Sequence, residues 1–305
     1  MLSTDGAALA GLYQKLRKGF QARGLPVELC WRDLDALGAM QDTAHIHLVH
    51  NGRIRHARVL NTGLAYVFPF WYCDPKGVFA DSSLTETAFD PNAIDPQAAG
   101  QFVDQLTRRL VGQRMSRYDQ PADRRHFPTG SIAVFLQGIS DPVERARHMS
   151  EAEMFEAVLA ARGARTLILK PHPRNLTGDT ATILARAKKL NNVIITDANV
   201  HDILAASAVT VSISSSTALE GMLHRAPAVL CGRSDLHHCA ETAQCPADIT
   251  GAIERALERA FPYTAFLYWF LEQHMLNTGR DDLIDRVIAK FRAQGVALDA
   301  PGPGN

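Results

Sequence analysis

The sequence predicts an α/β protein whose C-terminal half is built on a parallel sheet. Three observations predict it. From about Ser131, short apolar runs alternate regularly with helical patterns. Polar side chains gather just after three of those runs, and a Ser/Thr cluster stands at the head of one of the helices. Alternation at these lengths means βαβ units with right-handed crossovers, and an open parallel sheet binds ligands outside the carboxyl ends of its strands.

The pattern is less regular before Ser131. Leu9, Leu12, Leu16 and Phe20 have helical spacing. The alternating runs His45–His50 and Arg53–Leu60 flank Asn51-Gly52, which predicts a β-hairpin with a type I′ turn. Leu64–Cys73 is apolar and runs into the turn Asp74-Pro75-Lys76-Gly77, and helical spacing returns at Phe102, Leu106 and Leu110. The stretch 119–130 is polar and holds Pro121 and Pro128, so the reading assigns 1–121 to a small N-terminal domain and 122–130 to a linker.

Strands are then expected at Ile132–Leu136, Thr166–Leu169, Val193–Thr196, Val209–Ile213 and Pro227–Leu230. Between them fall helices at Glu151–Ala161, Thr180–Leu190, His201–Ala206 and Thr217–His224. From Pro246 the chain reads as helical. The sheet domain is assigned to 131–280, and 281–305 to a C-terminal helix and a disordered tail.

Composition narrows the function classes. The 305 residues are 46% hydrophobic and 21% charged, with 32 basic against 32 acidic side chains, so no global charge draws the chain to nucleic acid. Five scattered cysteines argue against a disulfide framework and suit a reducing cytoplasm. No apolar run approaches the roughly 20 residues that cross a bilayer, and no signal-peptide core is visible, so a cytoplasmic protein is expected.

The candidate chemistry lies at the strand ends. Ser214, Ser215, Ser216 and Thr217 precede a helix, where unpaired N–H groups and the helix dipole favour an anion. A plain cap needs only one such side chain. Glu220, one turn in, could accept from ribose hydroxyls or simply complement the dipole. In Lys170-Pro171-His172-Pro173 the prolines bias Lys170 and His172 towards extended geometry and a shared side, offering a cation and a proton donor. Gln137 and Asp141 follow the first strand, and Asp141 reads as a nucleophile, a base or a helix cap. No G-x-G-x-x-G or Walker A sequence occurs, and no histidine or cysteine spacing makes a convincing metal set, so neither metal nor cofactor is expected.

Taken in order, Gln137…Asp141, Lys170-Pro171-His172-Pro173 and Ser214–Gly221 resemble the capsule polysaccharide synthesis family, whose characterised members are retaining bacterial β-Kdo glycosyltransferases of GT-B type. Asp74–Asp81 with Ser83–Glu86 resembles that family's D-x-x-G-(aromatic)-D…S-x-L-E segment, and Pro227–Gly232 and Phe266–Phe270 also fit. The resemblance covers roughly residues 60–280. It implies a GT-B-like fold with a reduced N-terminal α/β domain, and transfer of Kdo from CMP-Kdo to a glycan or glycolipid at the cytoplasmic membrane face. His172 and Ser215–Thr217 would hold the CMP phosphate, with Gln137, Lys170 and Ser214 beside them, and Glu220 the ribose. Asp141 would be the nucleophile, and Asp74, Lys76 and Asp81 would stand on the acceptor side. Peripheral membrane association or a capsule-assembly complex is the implied setting.

The chain departs from the family in two places: Asn61-Thr62-Gly63 stands where an acidic Glu-Asp-Gly segment is usual, and Asp141 is the only acid shortly after Gln137. A non-catalytic nucleotide- or glycan-binding scaffold of the capsule machinery, or a GT-B transferase using another nucleotide sugar, is therefore the alternative expectation.

Overall fold

The computed structural model describes residues 11–30, 45–137, 141–173 and 178–297. The chain divides into two compact units, Met1–Thr87 with Phe270–Asn305, and Ala88–Trp269. The divisions fall at these points and not in the polar stretch 122–130, and residues 88–121 belong with the sheet that follows them.

The first unit opens with α1 (Gly11–Gln21), which buries Leu12, Tyr13, Leu16 and Phe20 along one stripe. Strands β1 (His47–His50), β2 (Val59–Leu64) and β3 (Phe70–Asp74) follow. The hairpin expected at Asn51-Gly52 does not form: β1 and β2 pair in parallel, His47 opposite Val59 and His50 opposite Thr62. The reason lies in Asn61, fully buried on β2. Its carboxamide accepts from the Ile54 amide at 3.0 Å and donates to the Ile54 carbonyl at 2.9 Å. It thus supplies through a side chain the pairing that a return strand would have taken from backbone. Asn51 does take a positive φ of 48°, but Gly52 is packed so closely on Asn61 that a Cβ would come within 2.3 Å of Oδ1. The hairpin of this unit is β2–β3, antiparallel with Asn61 opposite Asp74 and Leu64 opposite Trp71.

In the second unit, α2 (Pro96–Thr107) starts on Asp95, whose carboxylate accepts from the Gln97 amide, and it runs on into a wider turn at Arg108–Gly112. Six parallel strands then build the sheet: β4 (Ser131–Phe135), β5 (Leu167–Lys170), β6 (Val193–Ile195), β7 (Ser207–Ser212), β8 (Ala228–Leu230) and β9 (Glu241–Thr242). Their helices are α3 (Asp141–Ala146), α4 (Glu151–Ala161), α5 (Gly178–Ala187), α6 (Val200–Ala206), α7 (Thr217–Leu223), α8 (Ile249–Glu258) and α9 (Tyr263–Leu267). Inward residues such as Ile132, Val134, Leu167, Leu169, Val209 and Val211 are fully buried against Phe155 and Val158 of α4 and Ile249 and Ala252 of α8. Ala133, Phe135 and Ile168 pack with Val200, Ile203 and Leu204 of α6. Burial on both faces explains why these strands read as continuous apolar runs.

The chain then returns to the first unit. Strand β10 (Leu276–Asn277) pairs with β3, and α10 (Leu283–Ala293) packs Leu283, Ile284, Val287 and Phe291 into one core with α1. The tail expected beyond it, 298–305, lies outside the described residues.

Strand order across the larger sheet is β6-β5-β4-β7-β8-β9. The chain builds outward from β4 on one side, then begins again at β7 and builds outward on the other. That reversal is a topological switch point, the place where an open α/β sheet leaves a crevice for a ligand.

Candidate functional site

The crevice lies between the carboxyl ends of β4 and β7, and Gln137 spans it. Its Oε1 accepts from the Ser214 amide, and its Nε2 lies 3.5 Å from the Ser214 hydroxyl. The Gln137 amide in turn donates to Glu151 in the first turn of α4. Burial raises the Glu151 carboxyl above its ordinary range, against the pull of that amide.

Beyond Ser214 the hydroxyls and amides fold into a compact turn. The Ser215 amide donates to Ser212 Oγ at 3.2 Å and the Thr217 amide to Ser215 Oγ at 3.3 Å. Ser216 takes the cap position of α7 without a side-chain cap bond. Among the described residues, Thr217 Oγ1 and both oxygens of Glu220 are buried with no partner at hydrogen-bond distance. Glu220 is completely inaccessible, and burial pushes its pKa up to about 7 although Ser116 and Arg117 lie near enough to pull it down. A buried carboxylate without a partner is expensive, so it holds a proton or awaits a donor.

On the other flank of β4, Lys170 and His172 leave β5 in different company. The Lys170 ammonium donates to the carbonyls of Asp197 and Ala198, at 2.9 and 2.8 Å. Its partial burial lowers its pKa. It secures the turn after β6. The His172 ring stands edge-on to Tyr118, 5.1 Å between centroids.

Asp141 begins α3, but its side chain lies outside the described residues, as do residues 138–140. The far end of that helix is fixed: Ala146 accepts from the Arg233 amide at 2.8 Å, and the Cys231 amide donates to Ser212 at 2.8 Å. Gly232 sits between them. A Cβ there would meet the carbonyl oxygens of Ala146 and Ile213 at 3.0 and 3.2 Å. The helix that Asp141 starts and the loop that carries Ser214–Thr217 therefore abut the same glycine.

The acceptor-side candidates belong to the other unit. Asp74 is buried and accepts from the amides of Lys76, Gly77 and Ser83 and from the Ser83 hydroxyl at 2.6 Å. Lys76 pairs with Glu86 at 2.6 Å, and Asp81 ends the short turn Phe79–Asp81. Gly77 is required where it is, since a Cβ would come within 2.7 Å of the Asp81 backbone.

Sequence reasoning passed over Glu151 and the pair His201–His224, whose Nδ1 and Nε2 lie 2.9 Å apart. A signal for Glu151 existed, because Ser150 and Glu153 form a capping box that fixes the start of α4 at the exit of β4. Among the described residues no group of three metal-ligating side chains converges, and no helix is long and apolar enough to cross a membrane. A depression of about 440 Å³ lined by Thr242, Gln244, Asp248 and Arg255 includes none of the crevice residues. Its Asp248 and Arg255 are already held by the Gln244 amide and by Glu241.

The strand order, the crevice at its reversal and the Ser/Thr turn define a fold of GT-B glycosyltransferase type. Among solved structures it is similar to KpsC of Thermosulfurimonas dismutans. Against the β-Kdo 2,7 transferase of that protein, 85% of this chain aligns with 86% of the other at 16% identity and a TM-score of 0.52. Against the β-Kdo 2,4 transferase the figures are 68%, 71%, 19% and 0.48. No protein-family model matches the chain, and no curated protein matches it in sequence.

Proposed function

We propose that this protein is a glycosyltransferase of surface-polysaccharide synthesis, taking a CMP-activated acidic sugar of the Kdo type at the β4–β7 crevice and passing it to a glycan or glycolipid. The observation that carries this reading is the buried pair Thr217 Oγ1 and Glu220 in the first turn of α7, whose oxygens meet no partner at hydrogen-bond distance among the described residues. Vicinal ribose hydroxyls are donors of the right kind to satisfy such a carboxylate, and the hydroxyls and amides of Ser214–Thr217 suit the adjoining phosphate. The fold shared with the KpsC transferase supports the class, and the motif order supports the donor.

In this reading His172 meets the departing phosphate, and Asp141 attacks the anomeric carbon as its bond to the phosphate oxygen breaks. The acceptor hydroxyl then displaces Asp141, giving its proton to a base, and two displacements restore the original configuration. Neither metal nor cofactor is part of this scheme. Work on a membrane-borne acceptor would be done at the inner face of the cytoplasmic membrane, alone or within a capsule-assembly complex.

The test is release of CMP from CMP-Kdo by the wild type and by Asp141→Ala, with CMP, UDP and GDP compared as ligands in thermal unfolding. Turnover lost in Asp141→Ala, with CMP stabilisation kept, is expected. Stabilisation by CMP without turnover in the wild type would leave only the non-catalytic binder, and stabilisation by no nucleotide would end both.

A further inference from the structure

The prolines of Lys170-Pro171-His172-Pro173 restrict the backbone on both sides of His172, but they leave its imidazole free to turn about two side-chain bonds. Lys170 is fixed by the carbonyls of Asp197 and Ala198 in the turn after β6. The His172 ring meets Tyr118, at 5.1 Å between centroids and with the ring planes 86° apart. A perpendicular pair at that separation is an arrangement that ring quadrupoles favour.

Tyr118 belongs to a segment, 114–125, that is fastened to the same turn and to α6. Arg114 forms a two-pronged ion pair with Asp202 of α6, one contact being Nη2 to Oδ2 at 3.1 Å. Asp202 also accepts from the Arg125 amide at 2.8 Å, and the Arg125 guanidinium pairs with Asp197 at 3.2 Å. The Asn199 carboxamide donates to the carbonyls of Arg114 and Pro121, at 3.4 and 3.3 Å, and His201 Nε2 to that of Met115 at 2.8 Å. Gln120 brings the tether to Tyr118 itself. Its Oε1 accepts from the Val200 amide at 3.0 Å, and its Nε2 donates to the Tyr118 carbonyl at 3.1 Å. The turn after β6 thus holds Lys170 directly and, through this segment, the ring beside His172.

The geometry points to Tyr118 as the positioning residue of His172, its ring setting the plane in which the imidazole meets the donor phosphate; this rests on the reading proposed above. A hydrogen bond weakens steeply once its donor is misaligned. An imidazole already held in one orientation therefore binds phosphate better than one that must be ordered as the ligand arrives. Tyr118 acts through His172 and need not touch the nucleotide. The pair is made by the rings, so phenylalanine at 118 should serve nearly as well.

The experiment is a double-mutant cycle on the full chain, read by calorimetric titration with CMP and with cytidine. The proteins are the wild type, Tyr118→Phe, Tyr118→Leu, His172→Ala and the double variant Tyr118→Leu with His172→Ala. Tyr118→Leu is expected to weaken CMP roughly two- to tenfold, the worth of such a ring pair, while changing cytidine less than twofold. Tyr118→Phe should stay within twofold of wild type. In the His172→Ala background Tyr118→Leu should cost nothing further, because the imidazole it positions is gone. CMP affinity unchanged in Tyr118→Leu overturns the assignment, as does an equal loss in both backgrounds, which a merely structural role would give. Cytidine weakened as much as CMP overturns it too, since Tyr118 would then meet the nucleoside. Should Tyr118→Leu fail to fold, Tyr118→Met takes its place in both backgrounds with the same outcomes, and His172→Gln serves where His172→Ala leaves no measurable binding. A wild type that binds no nucleotide removes the proposed function and this assignment together. CMP weakened by His172→Ala but not by Tyr118→Leu removes the assignment alone.

Discussion

Gln137 clasps Ser214 across the switch point, its Oε1 accepting from the Ser214 amide and its Nε2 lying 3.5 Å from the Ser214 hydroxyl. One carboxamide thereby ties the exits of β4 and β7 and sets where the Ser/Thr turn begins. Gln137→Ala leaves the amide that meets Glu151 in place but deprives the Ser214 amide of its acceptor. The expected cost is about 1–2 kcal/mol, read as a lower midpoint in urea. CMP affinity should fall further than that loss alone implies, because the turn presenting the hydroxyls is loosened.

Glu220 gives a prediction whose sign depends on pH. Its pKa in the folded protein is about 7, against 4.5 ordinarily, so the folded state binds the extra proton and stability falls as pH rises between those values. Each tenfold in the proton equilibrium is about 1.4 kcal/mol, so ionising this buried group costs roughly 3 kcal/mol by pH 8. Glu220→Gln should match the wild type near pH 4.5, exceed its unfolding temperature at pH 8, and lose nucleotide binding. Stability gained where binding is lost is the pattern of a group retained for a ligand. An equal loss of stability at both pH values would mark Glu220 as structural.

The sheet was legible because its strands are buried on both faces, so Ile132–Phe135 or Val209–Ser212 needs no alternation to be recognised. The capping box of Ser150 and Glu153 marks the start of α4 in the same stretch of sequence. The failure at Asn51-Gly52 has a different cause. Asn51 takes the positive φ that a type I′ turn needs, but Gly52 does not; a buried carboxamide on β2 takes the pairing, and no local pattern reports a contact with Asn61. Lys170 shows the same limit at the candidate site. Its place at a strand exit was legible, while the carbonyls of Asp197 and Ala198 that occupy it come from the following βα turn. Segment 115–118 has no periodicity at all, and its position depends on Asn199 and His201, far along the chain.

His201 and His224 should govern behaviour on the acid side. His201 Nε2 donates to the Met115 carbonyl, so in the neutral pair its Nδ1 accepts from His224 Nε2 at 2.9 Å. Burial and the neighbouring imidazole pull the His224 pKa down to about 4; burial and Arg114 lower that of His201, opposed by Met115 and Asp202. Both are depressed, so their contribution is complete above about 6.5 and is lost as pH falls towards 4. Unfolding temperature should decline across that window, and His224→Gln should decline less. Parallel declines in the two proteins would show that other groups control it.

Gly232 is a test of packing between α3 and the Ser/Thr loop. A Cβ would stand 3.0 Å from the Ala146 oxygen and 3.2 Å from the Ile213 oxygen, and backbone cannot swing aside as a flexible side chain can. Gly232→Ala should cost about 1–3 kcal/mol and displace Ile213 and the turn after it. CMP affinity should drop in the folded variant, whereas Gly163→Ala, in open space but at a φ of 57°, should lose stability without losing affinity. Wild-type affinity in Gly232→Ala would show that the two elements tolerate separation.

Asp74 separates architecture from acceptor chemistry. Its carboxylate accepts from three amides and from the Ser83 hydroxyl, all within the Asp74–Ser83 turn. Asp74→Asn replaces one acceptor oxygen with an NH₂ that faces donors, so bonds are lost and a repulsion is added. Hydrogen bonds to a charged group are worth about 1.5–3 kcal/mol each, and the variant should lose roughly 3 kcal/mol or more. Ser83→Ala, which removes only the hydroxyl, should lose about half of that. If the carboxylate serves architecture, the loss of transfer activity in Asp74→Asn will track the unfolded fraction and CMP affinity in the folded fraction will be normal. A stably folded Asp74→Asn that binds CMP but no longer transfers to acceptor would instead put this carboxylate in the acceptor site.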